Sequence, residues 1–180
     1  FTKSHSKVIY AGFGSMPQND QKKNIDLLVR AAQSRRLGLI MSVPWQQQAL
    51  QKVSDDLITI RSWPHSRIFP EMDAVIHHGG AGTTATALMS GVPQIIVPHI
   101  LDQYYHGYRI GRLKLGPLPV MRSRLNGSAI RQAVNNAIDN PVYKANASKA
   151  AALIRPDQSL KNAVKAIVTP KNITIETKLF

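Results

Sequence analysis

The sequence predicts a doubly wound α/β domain, a parallel sheet with helices on both faces, and three observations predict it. Short runs that are apolar on both faces recur along the chain, segments of helical periodicity separate them, and glycine or proline punctuates their ends. Strands covered on both sides read as continuous apolar runs, and strands that alternate with helices pair in parallel.

Lys7-Val8-Ile9-Tyr10-Ala11 is a β-branched and aromatic run that ends in Gly12-Phe13-Gly14-Ser15, a strand opening into a tight loop. Ile25, Leu28, Val29 and Ala32 recur at helical spacing over 21–36, and Gly38 lies past that helix as a stop signal. Leu39-Ile40-Met41, Leu57-Ile58-Thr59-Ile60 and Ala74-Val75-Ile76-His77 are the next strands. A helix over 83–90 closed by Gly91, a strand Gln94-Ile95-Ile96-Val97 between two prolines, and a helix over 104–113 continue the alternation. Beyond Pro117 and Pro119 the pattern is helical: Ile130, Val134, Ala137 and Ile138 share a face, an alanine-rich helix spans 142–153, and Leu160, Ala163, Val164 and Ile167 mark the last amphipathic helix. Residues 1–170 read as one domain and 171–180 as a tail of strand-like composition.

With 180 residues, 43% of them apolar, the chain can bury one substantial core. No apolar run reaches the ~18 residues that a membrane-spanning helix needs. The absence of cysteine excludes disulfides, thiolate catalysis and Cys-ligated metal, and it is compatible with a reducing compartment. A start at Phe1 without a basic-then-apolar leader is expected of a piece of a longer chain, and the expected location is cytoplasmic, with peripheral membrane association left open. The formal charge of +13 attracts anions: nucleic acid, an acidic membrane surface, an acidic missing half, or a phosphorylated small molecule. Six basic residues and no acidic one lie between Gln103 and Ile138, where a solvated basic face is the plainer reading. Two Trp, five Tyr and four Phe without aromatic–basic clustering argue against stacking on single strands, so no nucleic-acid partner is expected.

The informative segment is His77-His78-Gly79-Gly80-Ala81-Gly82-Thr83-Thr84, between a strand and a helix. In open parallel sheets ligands lie beyond the carboxyl ends of strands. Three glycines allow close backbone approach and φ > 0, and the threonines stand beside the free amides of the first helical turn, where the macrodipole favours an anion. A diphosphate fits that need. Adjacent histidines on an extended strand point to opposite sides, so one is structural, and the protonated or donor imidazole over the strand end is assigned to His78. The turn lacks the Gly-Lys-Ser/Thr ending of a P-loop, and Gly12-Phe13-Gly14-Ser15 lacks the third glycine of the G-x-G-x-x-G pattern. Metal binding is not expected, because His99 and His106 are the only other nearby imidazoles and carboxylates at ligand-like spacing are missing. Asp102 and Gln103, beyond the fifth strand, offer an acceptor and an amide of the kind that neighbouring sugar hydroxyls need; Asp102 as the cap of the following helix is the alternative.

Together these residues resemble the family 1 glycosyltransferases of GT-B architecture, particularly the bacterial antibiotic and sterol glycosyltransferases. The resemblance runs from Phe13-Gly14-Ser15-Met16 through Trp63-Pro64-His65, Ile68-Phe69-Pro70, the histidine–glycine block, Gly91-Val92-Pro93, Pro98, Asp102-Gln103 and Gly107 with Arg109. It implies one Rossmann-like half of a two-half fold, the C-terminal half that binds a UDP- or TDP-hexose. By that resemblance His78, Gly80, Gly82 and Thr83, helped by Gly14 and Ser15, hold the diphosphate, and Asp102 and Gln103 hold the sugar. Ser62, Trp63 and His65 border the base; Trp63 either stacks on it or packs structurally. The plant glutamate that contacts ribose is replaced by Thr86, which leaves UDP against TDP open. The resemblance further implies inversion in one displacement without metal or cofactor, a small-molecule or lipid acceptor, and no catalytic residue in this half, the base lying in a missing N-terminal domain. The isolated chain is expected to bind nucleotide weakly and not to transfer sugar. The competing readings are a stand-alone donor-binding subunit completed by a partner and a non-catalytic phosphate- or nucleic-acid-binding domain.

Overall fold

The computed structural model describes residues 1–13, 21–43 and 49–168, with the side chains of 21–23 excepted. Its strands are β1 (Val8–Gly12), β2 (Gly38–Ser42), β3 (Leu50–Lys52), β4 (Leu57–Ile60), β5 (Ala74–His77) and β6 (Gln94–Ile96). Its helices are α1 (Gln21–Gln33), α2 (His65–Ile68), α3 (Ala81–Met89), α4 (Asp102–Arg112), α5 (Gly127–Asp139), α6 (Pro141–Leu153) and α7 (Pro156–Val168). The strands lie in the order β3-β4-β2-β1-β5-β6, all parallel except β3, which pairs antiparallel with β4.

The two-sided burial expected of the apolar runs is present. Ile9, Ala11, Leu39, Met41, Ala74 and Ile76 face a core shared with Leu28 and Ala32 of α1 and Ile130 and Val134 of α5. The alternate residues Val8, Tyr10, Ile40 and Val75 face a second core with Phe69, Met72 and Ala87. A third cluster joins Ile96 to Ile110 of α4, Leu115 and Ala147 of α6. The period-2 geometry of a strand makes each run serve both layers.

The helix starts differ from expectation by one turn or less: α3 begins at Ala81 and α4 at Asp102, while α1 ends at Gln33. The edge strand β3 was not foreseen, since Leu50-Gln51-Lys52 is short, polar and exposed, and such an edge has no apolar period to detect. Gly14, Ser15 and the tail 171–180 lie outside the described residues. Among the described residues no helix is long and apolar enough to cross a membrane.

Candidate functional site

The chain runs from β1 outward to β2 on one side and returns to β5 on the other, so the strand order reverses between β1 and β5. Gly12 pairs in register with His77, which sets the end of β1 beside the start of the His78–Gly80 turn at the carboxyl end of the sheet. A reversal of strand order opens a crevice there, because the loops of neighbouring strands diverge to opposite faces.

His77 roots this crevice. It is fully buried; its Nε2–H donates to Gln94 Oε1 (2.9 Å), and the Gly79 N–H donates to its Nδ1 (3.1 Å). The Gln94 amide in turn donates to the Thr84 carbonyl (3.4 Å). Burial pushes the His77 pKa down to about 3, only partly opposed by the Gln94 bond, so the ring is a neutral structural pivot joining β5, β6 and α3. Gln94 went unremarked in the sequence; its signal was a polar residue inside a strand buried on both faces, which needs a partner.

Of the three turn glycines only Gly79 uses its conformational freedom. Its φ is +92°, and a Cβ there would lie 2.8 Å from Ile96 Cγ2 and 3.1 Å from the Gln103 carbonyl. The Gly79 carbonyl accepts from His106 Nδ1 (2.7 Å), a role for His106 not foreseen. Gly80 makes room for an imidazole: a Cβ would sit 2.5 Å from His78 Nε2. At Gly82 a Cβ would meet nothing within 4 Å, so packing does not demand the glycine.

His78 lies above this turn, half-buried, with its ring at 84° to that of His77. Its Nδ1 is buried and has no hydrogen-bond partner. An orphaned buried donor is rarer than an orphaned acceptor, which puts the proton on Nε2, over the turn. Burial lowers the His78 pKa, with Asp102 pulling weakly upward. Of the two expected forms, protonated or neutral donor, the unliganded ring is therefore the neutral one. Beneath it, Gly80 caps α3 without any side-chain bond, and the first helical bond is Thr84 N–H to the Gly80 carbonyl (2.9 Å). The amides of Ala81, Gly82 and Thr83 are left without intrahelical acceptors.

Asp102 does not cap α4. The cap position belongs to Leu101, with no side-chain bond, and Asp102 is the first helical residue, exposed and 3.8 Å from His106 Nδ1. Leu101 has φ +43° and ψ −120°, a strained conformation for a residue with a Cβ. Gln103 is 5% exposed, and its Oε1 accepts from the amides of His99 (2.8 Å) and Ile100 (3.2 Å), so its carbonyl oxygen tethers the loop before Asp102. His99 stacks on Phe13 (5.6 Å, 25°), tying the loop after β6 to that after β1.

Ser62 and Trp63 are exposed in the loop after β4, and Trp63 keeps half its surface open. His65 is held instead: its ring stacks on Phe69 (4.6 Å, 15°), and its Nε2 meets the Tyr10 hydroxyl at 3.0 Å. Burial lowers the pKa of His65 and raises that of Tyr10, so the hydroxyl donates to the neutral ring. Thr86 Oγ1 donates back to the Gly82 carbonyl (2.9 Å). Burial also lowers the pKa of His99, helped by Arg122 and His78. Among the described residues no three His, Cys, Asp or Glu side chains converge as a metal-binding group.

Fold and site together define a Rossmann-like α/β domain with an uncapped helix start and a half-buried imidazole at the switch point of its sheet. The family described as the erythromycin biosynthesis protein CIII-like C-terminal domain matches residues 38–169, and the chain belongs to that family. It is 34% identical over 161 residues to a sterol 3-beta-glucosyltransferase of Arabidopsis thaliana, covering 89% of this chain and 25% of that protein. It is 30% identical over 169 residues to a sterol 3-beta-glucosyltransferase of Saccharomyces cerevisiae, covering 89% of this chain and 14% of that protein. The chain thus spans about a quarter or less of these relatives. Among solved structures it is similar to the calicheamicin glycosyltransferase (TM-score 0.74, 16% identity, 92% of this chain and 43% of that one). It is also similar to a glycosyltransferase in complex with dTDP (TM-score 0.69, 22% identity, 88% of this chain and 41% of that one). The neighbours share the expected GT-B architecture, of which this sheet is one half.

Proposed function

We propose that the switch-point crevice binds the diphosphate of a UDP- or TDP-hexose, and that the chain is the donor half of an inverting, metal-independent glycosyltransferase acting on a small-molecule or lipid acceptor. The observation that carries this reading is the uncapped start of α3 beneath the His78 donor, with open space over Gly82. Three amides and one N–H gather at this turn, and a Cβ on Gly82 would meet nothing within 4 Å. The solved neighbour holding dTDP supports the ligand class.

In such a transfer negative charge builds on the departing diphosphate as the anomeric bond breaks. The Ala81, Gly82 and Thr83 amides and the His78 Nε2–H meet that charge as it develops, which favours the transition state over the ground state. Asp102 accepts from sugar hydroxyls, and Gln103 acts with it by holding the loop that carries it. Gly14 and Ser15 would help to hold the diphosphate, and Ser62, Trp63 and His65 would flank the base. The acceptor site and the base belong to an N-terminal half outside this chain.

The test is a titration of the chain with UDP, TDP and their glucose conjugates, followed by tryptophan fluorescence. His78→Ala weakens every ligand by about 10- to 100-fold, the loss of one hydrogen bond to a charged group. Asp102→Asn weakens only the sugar conjugates; equal losses for both ligand types would remove the sugar-site assignment. Robust transfer by the isolated chain would contradict the two-half reading.

A further inference from the structure

One feature outside the crevice is the outer face of α4. Leu101, Tyr104, Tyr105, Tyr108, Arg109 and Arg112 fall within less than half of the helix circumference at ~100° per residue, opposite the buried Gln103, Gly107 and Ile110. Leu101 is 83% exposed, and the three tyrosines are 41%, 63% and 53% exposed. The Arg112 guanidinium lies 5.8 Å from the centre of the Tyr108 ring, and among the described residues no carboxylate pairs with Arg109 or Arg112. Aromatic–basic clustering was not expected from the sequence, yet one turn after another of α4 provides it.

The helix descends along β6. Leu101 stands beyond the strand's carboxyl end, whereas the carbonyl of Leu115, just past α4, accepts from the Gln94 amide at the strand's amino end (3.0 Å). At 1.5 Å per residue, Tyr108 and Arg112 lie roughly 10 to 16 Å below the crevice rim. Most of the face therefore flanks the domain rather than the mouth of the crevice.

We propose that this face of α4 docks the protein on an anionic lipid bilayer. Tyrosine rings sit at headgroup level, a protruding leucine enters the acyl boundary, and arginines pair with lipid phosphates. The complementary charge is present: the chain carries +13, and no acidic residue occurs from 103 to 138. A convex helix face led by an exposed leucine gives a nucleic-acid strand no groove to follow, which favours the bilayer over a polynucleotide.

The test floats the full-length protein with vesicles of phosphatidylcholine alone or with about one third phosphatidylserine, at low and physiological salt. Binding to the anionic vesicles exceeds that to the neutral ones by ~10-fold or more and weakens with salt. The double variant Arg109→Glu/Arg112→Glu lowers the vesicle partition at least ~30-fold, while Arg109→Lys/Arg112→Lys retains it. Tyr105→Ser/Tyr108→Ser lowers it ~5-fold or more. Melting temperatures close to the parent's show that the variants are folded, and UDP affinity, measured in the same proteins, reports separately on the crevice. A parent protein that stays unbound, or Glu and Ser variants that bind as the parent does, overturns the proposal. So does displacement by RNA combined with an unchanged tyrosine variant, which would reduce the effect to general cation attraction.

Discussion

The two ends of one sheet are built on opposite principles. At the amino end charges are matched: His5 meets Asp56 (2.9 Å), Lys7 meets Asp73 (3.4 Å), Lys52 meets Asp55 (2.7 Å), and Asp73 also accepts from the Val8 amide (2.8 Å). At the carboxyl end burial lowers the pKa values of four imidazoles, His65, His77, His78 and His99, and Asp102 pulls that of His78 weakly upward. The same residue type titrates in opposite directions: the Phe1 carbonyl and Asp56 raise His5, whereas burial lowers His78. Partners close at hand make a structural end. At the other end burial comes before any charged partner in setting the state of the rings.

The largest expected break in this contrast is Gly79→Ala. A Cβ at φ +92°, pressed on Ile96 and the Gln103 backbone, costs about 3 kcal/mol of stability, measured by denaturant unfolding. A loss below about 1 kcal/mol would show that the turn relaxes and that its geometry is not enforced.

Next in size is the pH response of folding. His77, with a folded pKa of about 3, stays neutral where the unfolded chain takes up a proton; its stabilisation is complete above the ordinary histidine pKa and is lost as pH falls toward 3. At pH 5 that loss is about 2 kcal/mol. His5, whose pKa is raised, acts in the other direction: its contribution is complete below the ordinary value and disappears as pH rises through the folded one. Its effect is smaller, since its carboxylate partner is half exposed. Imidazole NMR separates the two, and a His77 ring that titrates near 6.5 would refute the buried pivot.

A smaller effect sharpens the comparison at the site itself. An anion favours the charged imidazole, so UDP-glucose, whose diphosphate does not titrate near neutrality, should bind a few-fold more tightly as pH falls from 7.5 into the lowered His78 range. His78→Gln should flatten that profile, and an unchanged slope in the variant would move the responsible group elsewhere. His5→Ala should leave nucleotide affinity unaltered.

The strands and the glycine turn were legible because apolar runs and turn residues act locally. The edge strand β3 escaped because an exposed three-residue pairing has no period of its own. The opposite orientations of His77 and His78, and the assignment of His78 to the turn, were read from strand geometry, but the partner that satisfies His77 in the core, Gln94, lies seventeen residues away. Asp102 and Gln103 were foreseen as a pair. Their division of labour, one exposed carboxylate and one buried tether, depended on how the loop before α4 folds back. The Tyr10–His65 and His106–Gly79 contacts span 55 and 27 residues and left no local trace.

What the sequence determined by itself is the doubly wound alternation and the strand–glycine–helix turn, because hydrophobic period and backbone freedom are properties of neighbouring residues. What only the tertiary structure decided is protonation and partnership: that His77 is a neutral pivot held by Gln94, that the His78 nitrogen left without a partner is Nδ1, and which glycine must be glycine. Those outcomes depend on burial and on groups brought together from distant segments, and the desolvation that sets them exists only once the chain has closed around them.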